Sequence, residues 1–164
     1  MSTMMTAGSL QGRRTERAWA SFFGYGCCDA DSFIAERGAD RVGKEGGVDL
    51  WLSPELLGRL CPEALSRFAK GLCLQVKSSV AGAIEHLRGG IARGRVIPVV
   101  VGVNPPRNCS ARDIIMRLLQ DGVWSPNFSE RSEHQDELDE VVLEIIDRDV
   151  PLMTTEPRWI RQAA

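Results

Sequence analysis

The sequence predicts an α/β domain with a mixed central sheet flanked by helices, and three observations carry that prediction. Two short apolar runs, "VDLWLS" (48–53) and "LCLQVKSS" (72–79), have strand length, and Pro54 stops the first. A third run, "VIPVVVGVN" (96–104), is apolar on both faces, as expected of a strand covered by helices on either side. Segments of helical spacing lie before, between and after these runs, so strands and helices alternate along the chain.

In chain order, "MSTMMTAGSLQGRR" lacks the basic flank and apolar block of a secretory signal, and residues 1–10 read as a flexible leader. "GRRTERAWASFFGYG" places Ala18, Trp19, Phe22 and Phe23 on one helical face and stops at Gly24 and Gly26. On that helix Glu16 lies three positions before Trp19, which turns it toward the core edge. "DADSFIAERGA" supplies a turn of helix, and the polar, glycine-rich "GADRVGKEGG" reads as a loop. Between the first two strands, "PELLGRLCPEALSRFAKG" has Leu56, Leu57, Leu60, Leu65, Phe68 and Ala69 at helical spacing, and Pro62 should split it into two short helices. "VAGAIEHLRGGIARGR" is a further helix leading into the third strand. In "SARDIIMRLLQDG" Ser110 is the expected N-cap, Ile114, Ile115, Leu118 and Leu119 lie on one face, and Gly122 is the stop.

A core over 11–122 follows, with 123–164 as a helical and irregular extension packed on it. The extension holds the acidic "SERSEHQDELDEVVLEIIDRD", whose Leu138, Val141, Val142, Ile145 and Ile146 suit a helix covering the core, and an aromatic anchor at Trp159. A chain of 164 residues buries one sizeable core and is too short for two ordinary domains. No stretch approaches the ~20 apolar residues of a membrane span. Five cysteines, an odd number without a C-x-x-C pair, argue against a disulfide framework or a zinc ribbon and for reduced thiols in a cytoplasmic protein. Lys and Arg outnumber Asp and Glu by 14 to 10 over residues 1–110, whereas acids lead by 12 to 6 over 111–164. A surface that meets phosphates must therefore be a local patch on the first part of the chain.

Two charges sit where strands should exclude them. Asp49 lies inside "VDLWL" and Lys77 closes "LCLQVK"; an ion taken out of water costs several kcal/mol unless it is paired or bound to a metal. Gln75 and Lys77 share a strand face by the period of two, and Gln75 adds an amide oxygen. One carboxylate, an amide oxygen and a lysine at one sheet edge suit a magnesium-type ion with a phosphate beside it. The order G-x-x-x-x-G-K-[ST] and the order G-x-G-x-x-G are both missing, which disfavours a nucleotide cofactor.

These residues resemble the PD-(D/E)xK nuclease superfamily in its Q-x-K variant, which includes Holliday-junction resolvases, restriction enzymes and homing endonucleases. The likeness rests on "VDLWL", "LCLQVKSS" and a preceding helix with Glu16, and spans about the first two-thirds of the chain. It implies a restriction-endonuclease-like core and a metal-dependent DNA endonuclease, a homodimer using Mg²⁺ or Mn²⁺, acting on four-way junctions or on phage or mobile-element DNA. By the resemblance Asp49, Gln75, Glu16 and the Val76 carbonyl hold metal, and Lys77 is the catalytic lysine. Gln75 departs from the usual acid and removes a negative charge from the site. The alternative is a catalytically inactive nuclease-fold module that binds nucleic acid or protein.

Lys44, Ser78, Ser79, Arg88 and Arg93 are candidates for contacting the DNA backbone, and Glu45 for a further acid. Each has a plainer reading: Asp49 bonding a loop amide, Lys77 reaching solvent, the serines capping a helix, the arginines on a solvated helix face. His86 and His134 stand alone in the sequence, without a nucleophile that would make a triad.

Overall fold

A computed structural model describes residues 7–36, 47–126 and 129–161. The apolar run after Gly71 becomes β3 (Leu72–Lys77), buried along its length except for the partly open Lys77. The other strands assemble on its two edges. On one side lie β2 (Leu50–Leu52) and then β1 (Cys27–Asp29), each antiparallel to its neighbour. On the other lie β4 (Val99–Val101) and then β5 (Val123–Trp124), both in parallel pairing. The product is one open, mixed sheet of five strands in the order β1-β2-β3-β4-β5, flanked by helices. Leu50 stands opposite Leu74, and Gln75 opposite Val99.

Entry into β3 requires a glycine. Gly71 has φ +93°, and a Cβ there would stand 2.4 Å from Trp51 Nε1 and 2.5 Å from the Leu52 carbonyl oxygen. Backbone curvature of this sign and closeness of this degree leave room for hydrogen alone.

The helices form as their caps and apolar faces dictate. Helix α1 (Ala7–Phe23) buries Trp19 and Phe23 and begins at Ala7, so 7–10, assigned to the leader from sequence, are helical. Helix α2 (Ala30–Glu36) follows β1 directly. Ser53 Oγ accepts the Leu56 N–H at 3.2 Å to start α3 (Pro54–Leu60). After Pro62 a single 3₁₀ turn over Pro62–Ala64 stands in place of the expected second helix. Helix α4 (Val80–Arg93) opens on Ser79 and closes on Gly94. Helix α5 (Ala111–Asp121) opens on Ser110 and closes on Gly122, as the sequence predicts, with Ile114, Ile115 and Leu118 buried and Leu119, grouped with them from sequence, only partly buried. Helices α6 (Ser129–Glu133), α7 (Gln135–Asp147) and α8 (Arg158–Arg161) complete the chain.

Two strands were not expected. β1 takes Asp29 from a segment read as helix and β5 continues the sheet beyond residue 122. The C-terminal region adds more than a cover: Leu138, Val141 and Ile145 of α7 enter the main core, whereas Ile146, grouped with them from sequence, is 56% exposed. Trp159 is fully buried in a second cluster with Ala30, Val48, Cys73, Ile97 and Met153. All five cysteines are free thiols. Among the described residues, no helix is long and apolar enough to cross a membrane.

The Trp159 indole N–H is buried without a hydrogen-bond partner among the described residues. Trp159→Ala should therefore cost about 3–5 kcal/mol through the cavity it opens. Trp159→Phe should cost about 1 kcal/mol or less, since losing the unsatisfied donor offsets the lost volume. Urea denaturation of the two variants checks the difference.

Candidate functional site

Strand periodicity sets the site. Leu72, Leu74 and Val76 enter the main core, so Cys73, Gln75 and Lys77 share the opposite face of β3. Asp49, just ahead of β2, is 4% exposed, and its own backbone is paired on both sides. Its N–H donates to the Leu74 carbonyl at 2.9 Å, and its carbonyl accepts the Ala30 N–H at 2.8 Å. Asp49 Oδ2 accepts the Val76 N–H at 2.9 Å. The carboxylate thus bonds a backbone amide, as the plainer reading had it, but the amide belongs to the Gln75-Val76-Lys77 stretch rather than to a loop.

Gln75 is 8% exposed. Its Nε2 lies 3.4 Å from the Val76 carbonyl oxygen, and its Oε1 is buried with no hydrogen-bond partner among the described residues. A buried acceptor left open costs about 1–3 kcal/mol, which evolution tolerates mainly where something else is to be bound.

The Gln75 side chain also forms part of the lining of an open cleft of about 780 Å³ between the sheet and α4. Gly47, Gln75 and Lys77 line it from the sheet side, and Gly82, His86, Gly89 and Arg93 from the helix, with Glu85 and Arg95 beside them. The helical four recur at intervals of four, three and four, one stripe of α4. The two glycines are where the cations lie: a Cβ at Gly82 would stand 3.6 Å from Lys77 Cδ, and one at Gly89 3.3 Å from Arg93 Nη1. Seven residues of helix separate these positions by about 10 Å along the axis. Two cationic side chains are thereby laid against α4 on either side of His86.

His86 Nε2 is 2.9 Å from the Ile97 carbonyl oxygen. A carbonyl can only accept, so this nitrogen carries the hydrogen and Nδ1 keeps its lone pair. Burial pushes the imidazole below its ordinary pKa of 6.5, partly opposed by the Ile97 bond; the charges of Lys77 and Arg93 lower it further and that of Asp49 raises it. Asp49 and Lys77 therefore both act on His86, a residue the sequence left isolated. The signal that could have found it is the stripe of glycines and arginine at helical spacing around it.

The remaining candidates divide. Arg93 lines the cavity, while Arg88 points to α7 and pairs with Glu137 at 3.5 Å. Ser79 Oγ is spent as the α4 cap, accepting the Gly82 N–H at 3.0 Å, and Ser78 is exposed outside the cavity lining. Glu16 is 8% exposed on α1 and does not line the cavity. One turn beyond it, Trp19 Nε1 donates to the Gly102 carbonyl at 3.0 Å, and the Gly102 N–H donates to the Lys77 carbonyl at 2.9 Å. Its helix is thus fastened to the end of β3. Lys44 and Glu45 lie outside the described residues.

Among the described residues, no three His, Cys, Asp or Glu side chains gather as a metal site. The oxygens at this point are the Asp49 carboxylate, which accepts the Val76 N–H, and the Val76 carbonyl, which accepts from Gln75 Nε2, with the Gln75 amide oxygen on the same side chain. These are hard donors of the kind that hold magnesium, calcium or manganese. No family model, no curated protein and no solved structure matches this chain.

Two outcomes follow for stability. Gln75→Met removes the open acceptor at nearly constant volume, and should raise the unfolding free energy by about 1 kcal/mol in denaturant titrations. His86 binds its proton less readily folded than unfolded, so the unfolded chain gains protons first as the pH falls. Stability should drop below pH 6.5, with no contribution from this group above it. His86→Gln, which keeps a donor for Ile97, should flatten that limb when denaturation midpoints are compared from neutral pH downward.

Proposed function

We propose that the chain is a metal-dependent DNA endonuclease on a restriction-endonuclease-like core. The observation that carries this reading is the meeting of Asp49, Gln75, the Val76 peptide and Lys77 at one end of β3, beside a cavity edged by arginines. The order of elements supports it as well: a helix with Glu16, a strand after Asp49, a strand with Gln75 and Lys77, then a helix and an apolar strand.

Asp49, Gln75 and the Val76 carbonyl have the donor chemistry to hold Mg²⁺, with Mn²⁺ as a substitute, and the resemblance assigns the helix acid to Glu16, which lies outside the cavity lining. Such an ion supplies Lewis-acid polarisation of the phosphate and a bound water of lowered pKa. The chain's own groups do the rest. Lys77 donates from its ammonium to a phosphate oxygen as negative charge develops there. Arg93 and Arg95 hold neighbouring phosphates and thereby fix the strand's position. Water is consumed and one phosphodiester bond is broken. A homodimer would place two such sites on the two strands of a duplex or junction.

A second reading, a nuclease-fold module that binds nucleic acid without cutting, is favoured by the neutral Gln75 and by the use of Asp49 Oδ2 on a backbone amide. Labelled four-way-junction and linear duplex DNA, incubated with Mg²⁺ or Mn²⁺, separates the two. The nuclease reading expects metal-dependent cutting that falls at least ~100-fold in Lys77→Ala. Asp49→Asn, which keeps an oxygen for the Val76 N–H while removing the charge, should fall similarly. Folded wild-type chain that binds both DNAs and cuts neither would establish the module instead.

A further inference from the structure

The cleft between the sheet and α4 gathers cations that the rest of the fold leaves unmatched. Lys77 reaches it from the end of β3, Arg93 from the last turn of α4 and Arg95 from just beyond, and Glu85 is the one acid in the lining. Among the described residues neither Lys77 nor Arg93 has an ion-pair partner, whereas Arg88 on the same helix pairs with Glu137 and Arg112 with Glu63. The two unmatched cations are also held apart. Lys77 lies against Gly82 and Arg93 against Gly89, positions about 10 Å apart along the helix axis. Such a spacing suits two phosphates of one ligand better than a single anion.

His86 stands between them on the same helical stripe. Its Nε2–H is given to the Ile97 carbonyl, so a further proton has only Nδ1 to go to. Burial disfavours the imidazolium and the Ile97 bond opposes that; the charges of Lys77 from β3 and Arg93 from α4 add to burial, and Asp49, ahead of β2, works against them. Glu85 and Arg95 are the remaining charges of the lining. A phosphate beside Lys77 and Arg93 cancels the field that keeps the ring neutral, so anion and proton favour each other's binding.

We propose that the cleft is a metal-independent site for a ligand carrying two phosphates, one on Lys77 and the next on Arg93, and that His86 takes up a proton as the ligand binds. The inference rests on the placing of phosphates in the nuclease reading but needs neither a metal nor cleavage. The chemistry is shared by a nucleic-acid strand and a nucleoside bisphosphate.

Calorimetric titration of the full chain in EDTA with a short oligothymidylate, with a nucleoside bisphosphate and with sulfate tests this. The expected result is that the two phosphate ligands bind at least ~10-fold tighter than sulfate, and that Lys77→Ala and Arg93→Ala each weaken them at least ~5-fold. Arg88→Ala, which removes the same charge from the face of α4 turned to α7, should bind as the wild type does. Tighter binding of the oligothymidylate assigns the site to a strand, and tighter binding of the bisphosphate assigns it to a nucleotide. Phosphodiesters do not titrate near neutral pH, so for the oligothymidylate the proton linkage is read directly: affinity should rise about 3- to 10-fold from about pH 7.5 to about pH 5.5. Proton uptake should appear as a binding heat that depends on the buffer's ionisation enthalpy. Both effects should vanish in His86→Gln, which keeps a donor for Ile97 and leaves Glu85 and His134 in place. No binding in EDTA, sulfate bound as tightly as the phosphate ligands, or Arg88→Ala as damaging as Arg93→Ala would each overturn the proposal. Proton uptake absent from the wild type, or surviving in His86→Gln, would overturn it too. Binding of this kind by a chain that cuts no DNA with Mg²⁺ or Mn²⁺ would remove the nuclease reading and leave this site standing. Metal-dependent cutting by a chain whose binding in EDTA is untouched by loss of Arg93 and His86 would do the reverse.

Discussion

The bond from the Val76 N–H to the Asp49 carboxylate is the contact on which the site depends. β2 stops following β3 at this point: Asp49 N–H still pairs with Leu74, but the next amide along, Val76, is met by a side chain instead of a backbone carbonyl. A buried amide left open costs about 1–3 kcal/mol, so the carboxylate is required there by the sheet alone. That bond holds the Gln75-Val76-Lys77 stretch in register with the chain entering β2. Gly47 and the Gln75 and Lys77 side chains line the cavity from this side.

The same region trades stability for openness. An apolar residue at position 75 would pack without leaving an acceptor unsatisfied, and alanines at 82 and 89 would favour helix by roughly 1 kcal/mol each over glycine. A Cβ at Gly89 would press on the Arg93 guanidinium, and one at Gly82 on the Ser79 cap oxygen while only touching Lys77. The sequence keeps its less stable choices on one stripe of one helix and on the strand residue facing it. Natural proteins relax the rules of good packing in this way chiefly where a ligand is to be admitted.

Much of the fold was legible because hydrophobic period and caps act locally. Ser110, Gly122 and the Ile114, Ile115, Leu118 face mark α5 without any tertiary information, and "LCLQVK" marks β3. β1 and β5 were not legible, being three and two residues long and held by pairing with neighbours rather than by their own pattern. Asp49, Gln75 and Lys77 stood out because each violates an apolar run. His86 violates nothing in its own helix, and its meaning comes from Gln75 and Gly47, which reach it from distant parts of the chain. Arg88 and Arg93 look alike in sequence; only the position of α7 decides that one is an ion-pair partner and the other faces the cavity.

The acidic C-terminal region has its explanation in α4 as well. Glu130 Oε1 accepts the Val80 N–H at 2.5 Å, placing a negative charge on the positive end of the helix dipole. Farther along, Glu137 engages Arg88 on the face turned away from the cavity. An exposed pair of this kind contributes little energy, yet both contacts bear on the same question, which way α4 faces. The helix packs on α7 through Glu137 and accepts its N-terminal cap from α6, so its Gly82-His86-Gly89-Arg93 stripe has only the sheet side left to occupy. Charge asymmetry along the chain is therefore built into the site: acids from the second part hold the back and the start of α4, and its remaining arginine, Arg93, lines the cavity with Lys77, Glu85 and Arg95.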